Sequence, residues 1–206
     1  MTSRSASRTR NEVRIVGGVW KRSKLPVPDK PGLRPTPDRV RETLFNWLGR
    51  DLSGWRCLDA FAGSGALGFE AASRGAAEVV LLECDPELVR GLKASRERLK
   101  ADVSRVRIEH ADATSWMART APCGFDLVLL DPPFGAALFT PALRSGRRLV
   151  TDNGLVYLEA PKAWDDEALG RLGLALHRHA RAGAVHYHLL RPAGTLPSSD
   201  AEESAS

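Results

Sequence analysis

Apolar residues recur along the chain with two periods, and the alternation between them sets out most of the fold. Short apolar runs at Cys57–Ala60, Val79–Glu83, Val106–Glu109, Phe125–Asp131 and Gly154–Glu159 read as buried strands. Helical spacing between and after them predicts helices over 66–74, 86–100, 114–119, 138–149 and 165–172. Such alternation predicts an α/β fold, a mostly parallel, doubly wound sheet covered by helices on both faces. The last runs, 174–180 and 184–190, flank Arg181-Ala182-Gly183 and predict an antiparallel hairpin.

The first fifty residues follow another plan. Arg14 to Leu25 predicts two short strands around Gly17-Gly18, a small N-terminal β-hairpin. Pro26 to Pro37 holds five prolines, so it predicts an extended loop. Asp38 to Leu48 then predicts a helix with Val40, Leu44, Trp47 and Leu48 on one face and Arg39 and Arg41 off it. Thr36-Pro37 reads as its cap followed by a first-turn proline. The expected boundaries are a disordered basic arm over 1–12, a hairpin, loop and helix over 13–50, the α/β domain over 51–191 and a disordered tail over 192–206.

Charge separates the same two parts. The 206 residues carry 30 Lys and Arg against 25 Asp and Glu, a net +5. Residues 1–50 hold 12 cations and 4 anions, whereas the remainder is mildly acidic. A basic segment on a near-neutral body suggests a polyanion held at one end. No apolar stretch is long enough to span a bilayer, so no membrane partner is expected. Cys57, Cys84 and Cys123 are scattered among apolar neighbours and read as buried free thiols of a reducing, cytoplasmic compartment.

The first strand of the α/β region runs into Asp59-Ala60-Phe61-Ala62-Gly63-Ser64-Gly65-Ala66-Leu67-Gly68, which spells G-x-G-x-x-G between strand and helix. Glu83 ends the next strand, 20 residues after Gly63, where a ribose-binding acid belongs. A nicotinamide-dependent oxidoreductase therefore competes. Asp59 argues against it, because a carboxylate beside the turn repels a pyrophosphate. The same carboxylate suits S-adenosylmethionine, which carries an ammonium and a sulfonium and no phosphate. Glu83 then faces the ribose, and Asp112-Ala113 completes the pocket at the adenine end.

The fourth strand ends in Asp131-Pro132-Pro133-Phe134. Proline stiffens this loop and removes backbone donors, leaving carbonyls and the Asp131 carboxylate as acceptors for a planar exocyclic amine. Phe134 offers a face on which a base can stack, worth about 1–3 kcal/mol. A ring-conjugated amine is a poor nucleophile, so orientation and proton removal both matter. The motif reads an amine without naming its base, and a DNA adenine-N6 methyltransferase remains an alternative.

With these residues in place the chain resembles the amino-methylating class of S-adenosylmethionine-dependent methyltransferases. Arg14-Ile15-Val16-Gly17-Gly18, Leu25-Pro26-Val27-Pro28, Gly32-Leu33-Arg34-Pro35-Thr36 and Asp38 to Leu48 resemble more narrowly the RsmD family, bacterial 16S rRNA (guanine-N2)-methyltransferases. The resemblance covers about residues 12–191, although the segment from Phe134 to Asn153 is short for the family. It implies a Rossmann-like sheet of seven strands with the last hairpin reversed, and an N-terminal hairpin that helps to hold RNA. It implies that S-adenosylmethionine sits on Asp59, Phe61, Gly63, Ser64, Gly65, Glu83, Asp112 and Ala113. A guanine would be flipped into the pocket at Asp131, Pro132, Pro133 and Phe134. The implied partner is 16S rRNA within the 30S subunit or its precursor, bound by a monomer.

Two sets of residues remain. Arg14, Lys21, Arg22, Lys24, Arg34, Thr36, Arg39 and Arg41 are the expected RNA contacts, with Lys30 among the same cations. His177 with His179, and His186 with His188, alternate on the two final strands, so each pair shares a face. Four imidazoles so placed could surround a metal, but no Cys or carboxylate partner recurs there, and no metal site is assigned.

Overall fold

The computed structural model describes residues 12–30, 36–122, 124–134 and 137–194. Its main sheet forms from the apolar runs. In chain order its strands are β3 (Arg56–Asp59), β4 (Glu78–Glu83), β5 (Val106–His110), β6 (Phe125–Leu130), β7 (Val150–Ala160), β8 (Leu174–Ala182) and β9 (Val185–Pro192). They lie in the order β5-β4-β3-β6-β7-β9-β8. Pairings among β3 to β7 are parallel, whereas β9 is antiparallel to both neighbours. Only β9 is therefore reversed, since β8 runs with the parallel strands, and the expectation that the whole last hairpin turns round is corrected. The order reverses between β3 and β6, and in open α/β sheets ligands bind at the carboxyl ends beside such a switch.

Among the described residues six helices cover the sheet: α1 (Asp38–Trp47), α2 (Ala66–Ser73), α3 (Pro86–Arg98), α4 (Ala113–Arg119), α5 (Phe139–Leu149) and α6 (Asp166–Gly170). Side chains of the central strands alternate between two cores. Leu127, Leu129 and Tyr157 join the face shared with α1, α2 and α3, while Val128, Leu130 and Val156 join the face under α4, α5 and α6. Despite the short segment before it, α5 has 11 residues and leads straight into β7, which starts four residues earlier than expected.

The N-terminal segment packs on the first of these faces. β1 (Glu12–Arg14) and β2 (Lys24–Pro26) pair antiparallel, and Val13, Ile15, Leu25 and Val27 enter the same core as α1 and α2. The strands are shorter than predicted, because Gly17-Gly18 lies in a broad turn pressed onto the end of α2. Backbone N–H groups of Val19 and Trp20 donate to the Ser73 carbonyl (2.8 Å) and hydroxyl (2.9 Å), and that hydroxyl donates to the Gly17 carbonyl (2.6 Å). Gly18 has φ +73°, and a Cβ there would lie 1.9 Å from the Ser73 carbonyl oxygen. Only glycine fits this contact.

Helix α1 departs from its reading at two residues. Pro37 is itself the N-cap and makes no side-chain cap bond, so Thr36 does not cap the helix. Arg41, expected off the apolar face, is 0% exposed. Its guanidinium donates to the carbonyls of Thr36 (3.2 Å) and Arg14 (2.6 Å), to Glu70 (3.2 Å) and to Asp38 (2.6 Å). Glu70, also fully buried, holds Arg74 through its other oxygen (2.8 Å) and accepts the Val16 N–H (2.8 Å). This polar network ties hairpin, α1 and α2 together where hydrophobic periodicity called for solvent.

Candidate active site

The glycine turn is shaped by two carboxylates. Gly65 is the N-cap of α2 at φ 80°, a position with no side chain to bond the first helical N–H groups. Asp59, at the end of β3, supplies the acceptor instead, taking the Gly68 N–H at 2.9 Å. Burial raises the Asp59 pKa to about 7, with Glu83 adding to the rise and the Gly68 N–H opposing it. A Cβ on Gly68 would meet Asp59 Oδ2 and Leu81 at 3.0 Å, so this third glycine serves close packing of helix on sheet. Glu83, at the end of β4, accepts the Gly63 N–H (2.9 Å) and the Asp85 N–H (2.8 Å). Ser64 is buried, while Phe61 and Gly63 are partly exposed.

One strand further out, Asp112 caps α4 by accepting the Ser115 N–H (2.7 Å), which holds its carboxyl below the usual carboxylate range. Ala113 is buried beside it. Asp59, Glu83 and Asp112 therefore line the carboxyl edge of β3, β4 and β5, a donor set of three carboxylates around backbone N–H groups. That chemistry fits a cationic ligand with ribose hydroxyls and opposes a pyrophosphate. Among the described residues no group of His, Cys, Asp and Glu is arranged to hold a metal.

Across the switch point, β6 ends at Leu130 and delivers Asp131-Pro132-Pro133-Phe134. Asp131 is partly exposed and Pro132 buried, while Pro133 is exposed and Phe134 46% exposed. The Phe134 ring lies 6.2 Å from that of Phe139, tilted by 45°. Loss of solvent, with Glu159 and then Asp59 nearby, pushes the Asp131 pKa well above the usual range. Glu159, at the end of β7, is a site residue the sequence reading missed. An acid closing an apolar run gave no signal by itself, and only the pairing of β6 with β7 puts it beside Asp131.

The expected RNA contacts separate. Thr36 is 4% exposed, and its hydroxyl donates to Glu159 (2.7 Å), which corrects its assignment to RNA. Arg41 is likewise withdrawn from RNA, since it is sealed inside the network with Glu70. Arg34 lies outside the described residues, as do Cys123, residues 1–11 and residues 195–206. Lys24 is exposed but paired with Glu12 (2.8 Å), and Lys30 with Asp85 (2.5 Å) and Glu87 (2.9 Å). Arg14, Lys21, Arg22 and Arg39 are exposed. The Arg98 guanidinium at the far end of α3 donates to the Lys24 carbonyl, whereas Lys30 meets the start of α3. The segment from Lys24 to Lys30 thus climbs the length of α3, about 20 Å. Lys21 and Arg22 lie in the turn that Val19 and Trp20 fasten to Ser73 at the end of α2, away from the glycine turn at its start, whereas Arg39 follows Thr36 near the carboxyl edge of the sheet.

Two further readings change. Cys84 is exposed in the turn after β4, where the chain leaves the sheet, while Cys57 is buried as expected. A bulge between Leu176 and Arg178 shifts the strand register, so His177 and His179 no longer share a face. His179 stacks instead on His188 (4.7 Å) and His186 (5.2 Å).

A mostly parallel α/β sheet in this order, with an acid-lined glycine turn after its first strand and D-P-P-F after the fourth, is the frame of a Rossmann-like methyltransferase. The family described as conserved hypothetical protein 95 matches residues 13–191. Ribosomal RNA small subunit methyltransferase D of Escherichia coli is 41% identical over 189 residues, 86% of this chain and 89% of that protein. Its Haemophilus influenzae counterpart is 39% identical over 183 residues, 87% and 94% of the two chains. A solved E. coli structure carrying a provisional methyltransferase assignment superposes with TM-score 0.75 at 36% identity, covering 90% of this chain and all of that one. The chain belongs to the ribosomal RNA small subunit methyltransferase D family.

Proposed function

We propose that this protein methylates the exocyclic N2 amine of a guanine in 16S rRNA, using S-adenosylmethionine, on the 30S subunit or its precursor. The observation that carries the reading is the acceptor loop Asp131 to Phe134 set across the switch point from the Asp59 to Gly65 turn, in a chain of this family. S-adenosylmethionine, when bound, supplies a methyl group on a sulfonium that departs as a neutral thioether. Asp59, Phe61, Gly63, Ser64, Gly65, Glu83, Asp112 and Ala113 are the residues to hold it. Asp131 and the Pro132 carbonyl orient the amine hydrogens, Phe134 stacks on the base, and Asp131 or water takes the proton. Pro133 keeps the loop from folding back. The protein works as a cytoplasmic monomer, and no helix among the described residues is long and apolar enough to cross a membrane.

The test supplies labelled S-adenosylmethionine with naked 16S rRNA, unmethylated small subunits and duplex DNA. Label on guanine N2 of the rRNA or subunits is expected. Label on DNA alone would establish the adenine-N6 alternative, and NAD binding without S-adenosylmethionine binding would establish the oxidoreductase. Asp131→Ala is expected to reduce transfer by at least about 100-fold while leaving S-adenosylmethionine affinity within a few-fold.

A further inference from the structure

Asp59, Asp131 and Glu159 stand at the carboxyl ends of three adjacent strands, β3, β6 and β7. The register pairs Leu130 with Leu158, so Asp131 and Glu159 follow at one height. Cys57, Leu129 and Tyr157 belong to the core face shared with α1 and α2. Two residues on from each of these, strand alternation brings Asp59, Asp131 and Glu159 to the same face. Three acids thus form a row on the side where the N-terminal segment packs.

Glu159 is 4% exposed and is too enclosed to touch a base. Its Oε1 accepts two hydroxyl bonds, from Thr36 (2.7 Å) and from Tyr157 (2.9 Å). Burial pushes the Glu159 pKa up, and both hydroxyls pull it back by favouring the ionised form. The groups facing this row are Glu83 beside Asp59, Tyr187 beside Tyr157, and Tyr157 itself. Arg41 reaches the Thr36 carbonyl, but its charge is matched by Glu70 and Asp38.

We propose that Glu159 is a positioning residue: held by Thr36 and Tyr157, it sets the pH at which Asp131 ionises and hence the fraction of enzyme able to receive the amine. This rests on the methyl-transfer reading above. As the N–C bond forms and the C–S bond breaks, one amine proton must leave, and Asp131 can take it when ionised but not when protonated. A neighbouring charge makes Asp131 a stronger base and a scarcer one at acid pH. Thr36 lies near the end of the proline-rich stretch from Pro26 to Pro37, so the same bond fastens the N-terminal segment to the carboxyl edge of the sheet.

The experiment is the pH profile of kcat/KM for rRNA methylation, measured on wild type, Glu159→Gln, Thr36→Val and Tyr157→Phe, with S-adenosylmethionine affinity as the check of folding. Glutamine keeps the acceptor oxygen and removes the charge. The acid limb of Glu159→Gln is expected to move down by about one pH unit, so that on this limb activity relative to its own plateau rises by up to about tenfold over wild type. Thr36→Val and Tyr157→Phe are expected to move it less, in the same direction. Glu159→Asp, which restores the charge, should return the limb toward wild type. A Glu159→Gln limb superimposed on wild type overturns the proposal. If Glu159→Gln does not bind S-adenosylmethionine, unmoved limbs in both hydroxyl variants overturn it equally. Wild type that methylates no rRNA overturns the proposed function instead, and is read from the control alone.

Discussion

Asp59 shows how one side chain serves both fold and ligand. Its carboxylate closes the start of α2, where Gly65 has no side chain to do so, and it is buried among other acids. With a pKa near 7 it is largely protonated at pH 6 and largely ionised at pH 8. Because this value lies above the usual carboxylate range, the group stabilises the unliganded fold at low pH and loses that contribution as pH rises through about 7. A cationic ligand reverses the preference by favouring the ionised form. S-adenosylmethionine affinity, measured calorimetrically, should therefore strengthen by about tenfold from pH 6 to pH 8. Asp59→Asn should bind more weakly and with little dependence on pH across that range. An affinity that weakens toward pH 8 in wild type would show that Asp59 does not face the cation. Asp59 itself was legible in the sequence, as an acid at a strand end before a glycine turn. Its bond to Gly68 was not, since that depends on how α2 folds back.

The elements of the α/β body follow closely from hydrophobic periodicity, because each strand and helix buries a face whose spacing its sequence displays. The N-terminal segment does not, because its burial involves polar groups. Arg41 looked like a solvated cation, yet it satisfies two backbone carbonyls and two carboxylates inside the core. Removing its buried partner Glu70 would leave that charge matched by the half-exposed Asp38 alone. Glu70→Ala is expected to destabilise the protein by about 3 kcal/mol, read as a lower urea midpoint, since it takes the buried carboxylate from Arg41 and Arg74 together. A shift below about 1 kcal/mol would show that other acceptors replace Glu70. Similarly, Gly17-Gly18 marked a turn correctly, but the reason for glycine lies in Ser73, 55 residues beyond Gly18 in the chain.

At the scale of the whole molecule, the basic first quarter is not one patch. Arg41 and Thr36 are buried, Lys24 and Lys30 are paired with acids, and Lys21 and Arg22 lie in the turn held on the end of α2. RNA that reaches both Arg22 and Asp131 must run from the end of α2 to the carboxyl edge of the sheet, at least the length of that eight-residue helix, about 12 Å. Lys21→Ala with Arg22→Ala should weaken rRNA binding and lower the slope of log affinity against log salt by about one to two. Arg41→Met should leave the slope unchanged, since its charge is already matched within the protein. Equal slopes for all three proteins would place the phosphate backbone elsewhere.

The sequence by itself determined the α/β alternation, the glycine turn with its acids and the Asp131 to Phe134 loop, because these are local: periodicity, turn chemistry and a strand end are written in contiguous residues. The tertiary structure alone decided that β9 is the one reversed strand, that Arg41 and Thr36 face inward, and that Glu159 stands beside Asp131. Those facts depend on which strands become neighbours and in what register, and residues more than a hundred positions apart, such as Thr36 and Glu159, meet only when the sheet has closed.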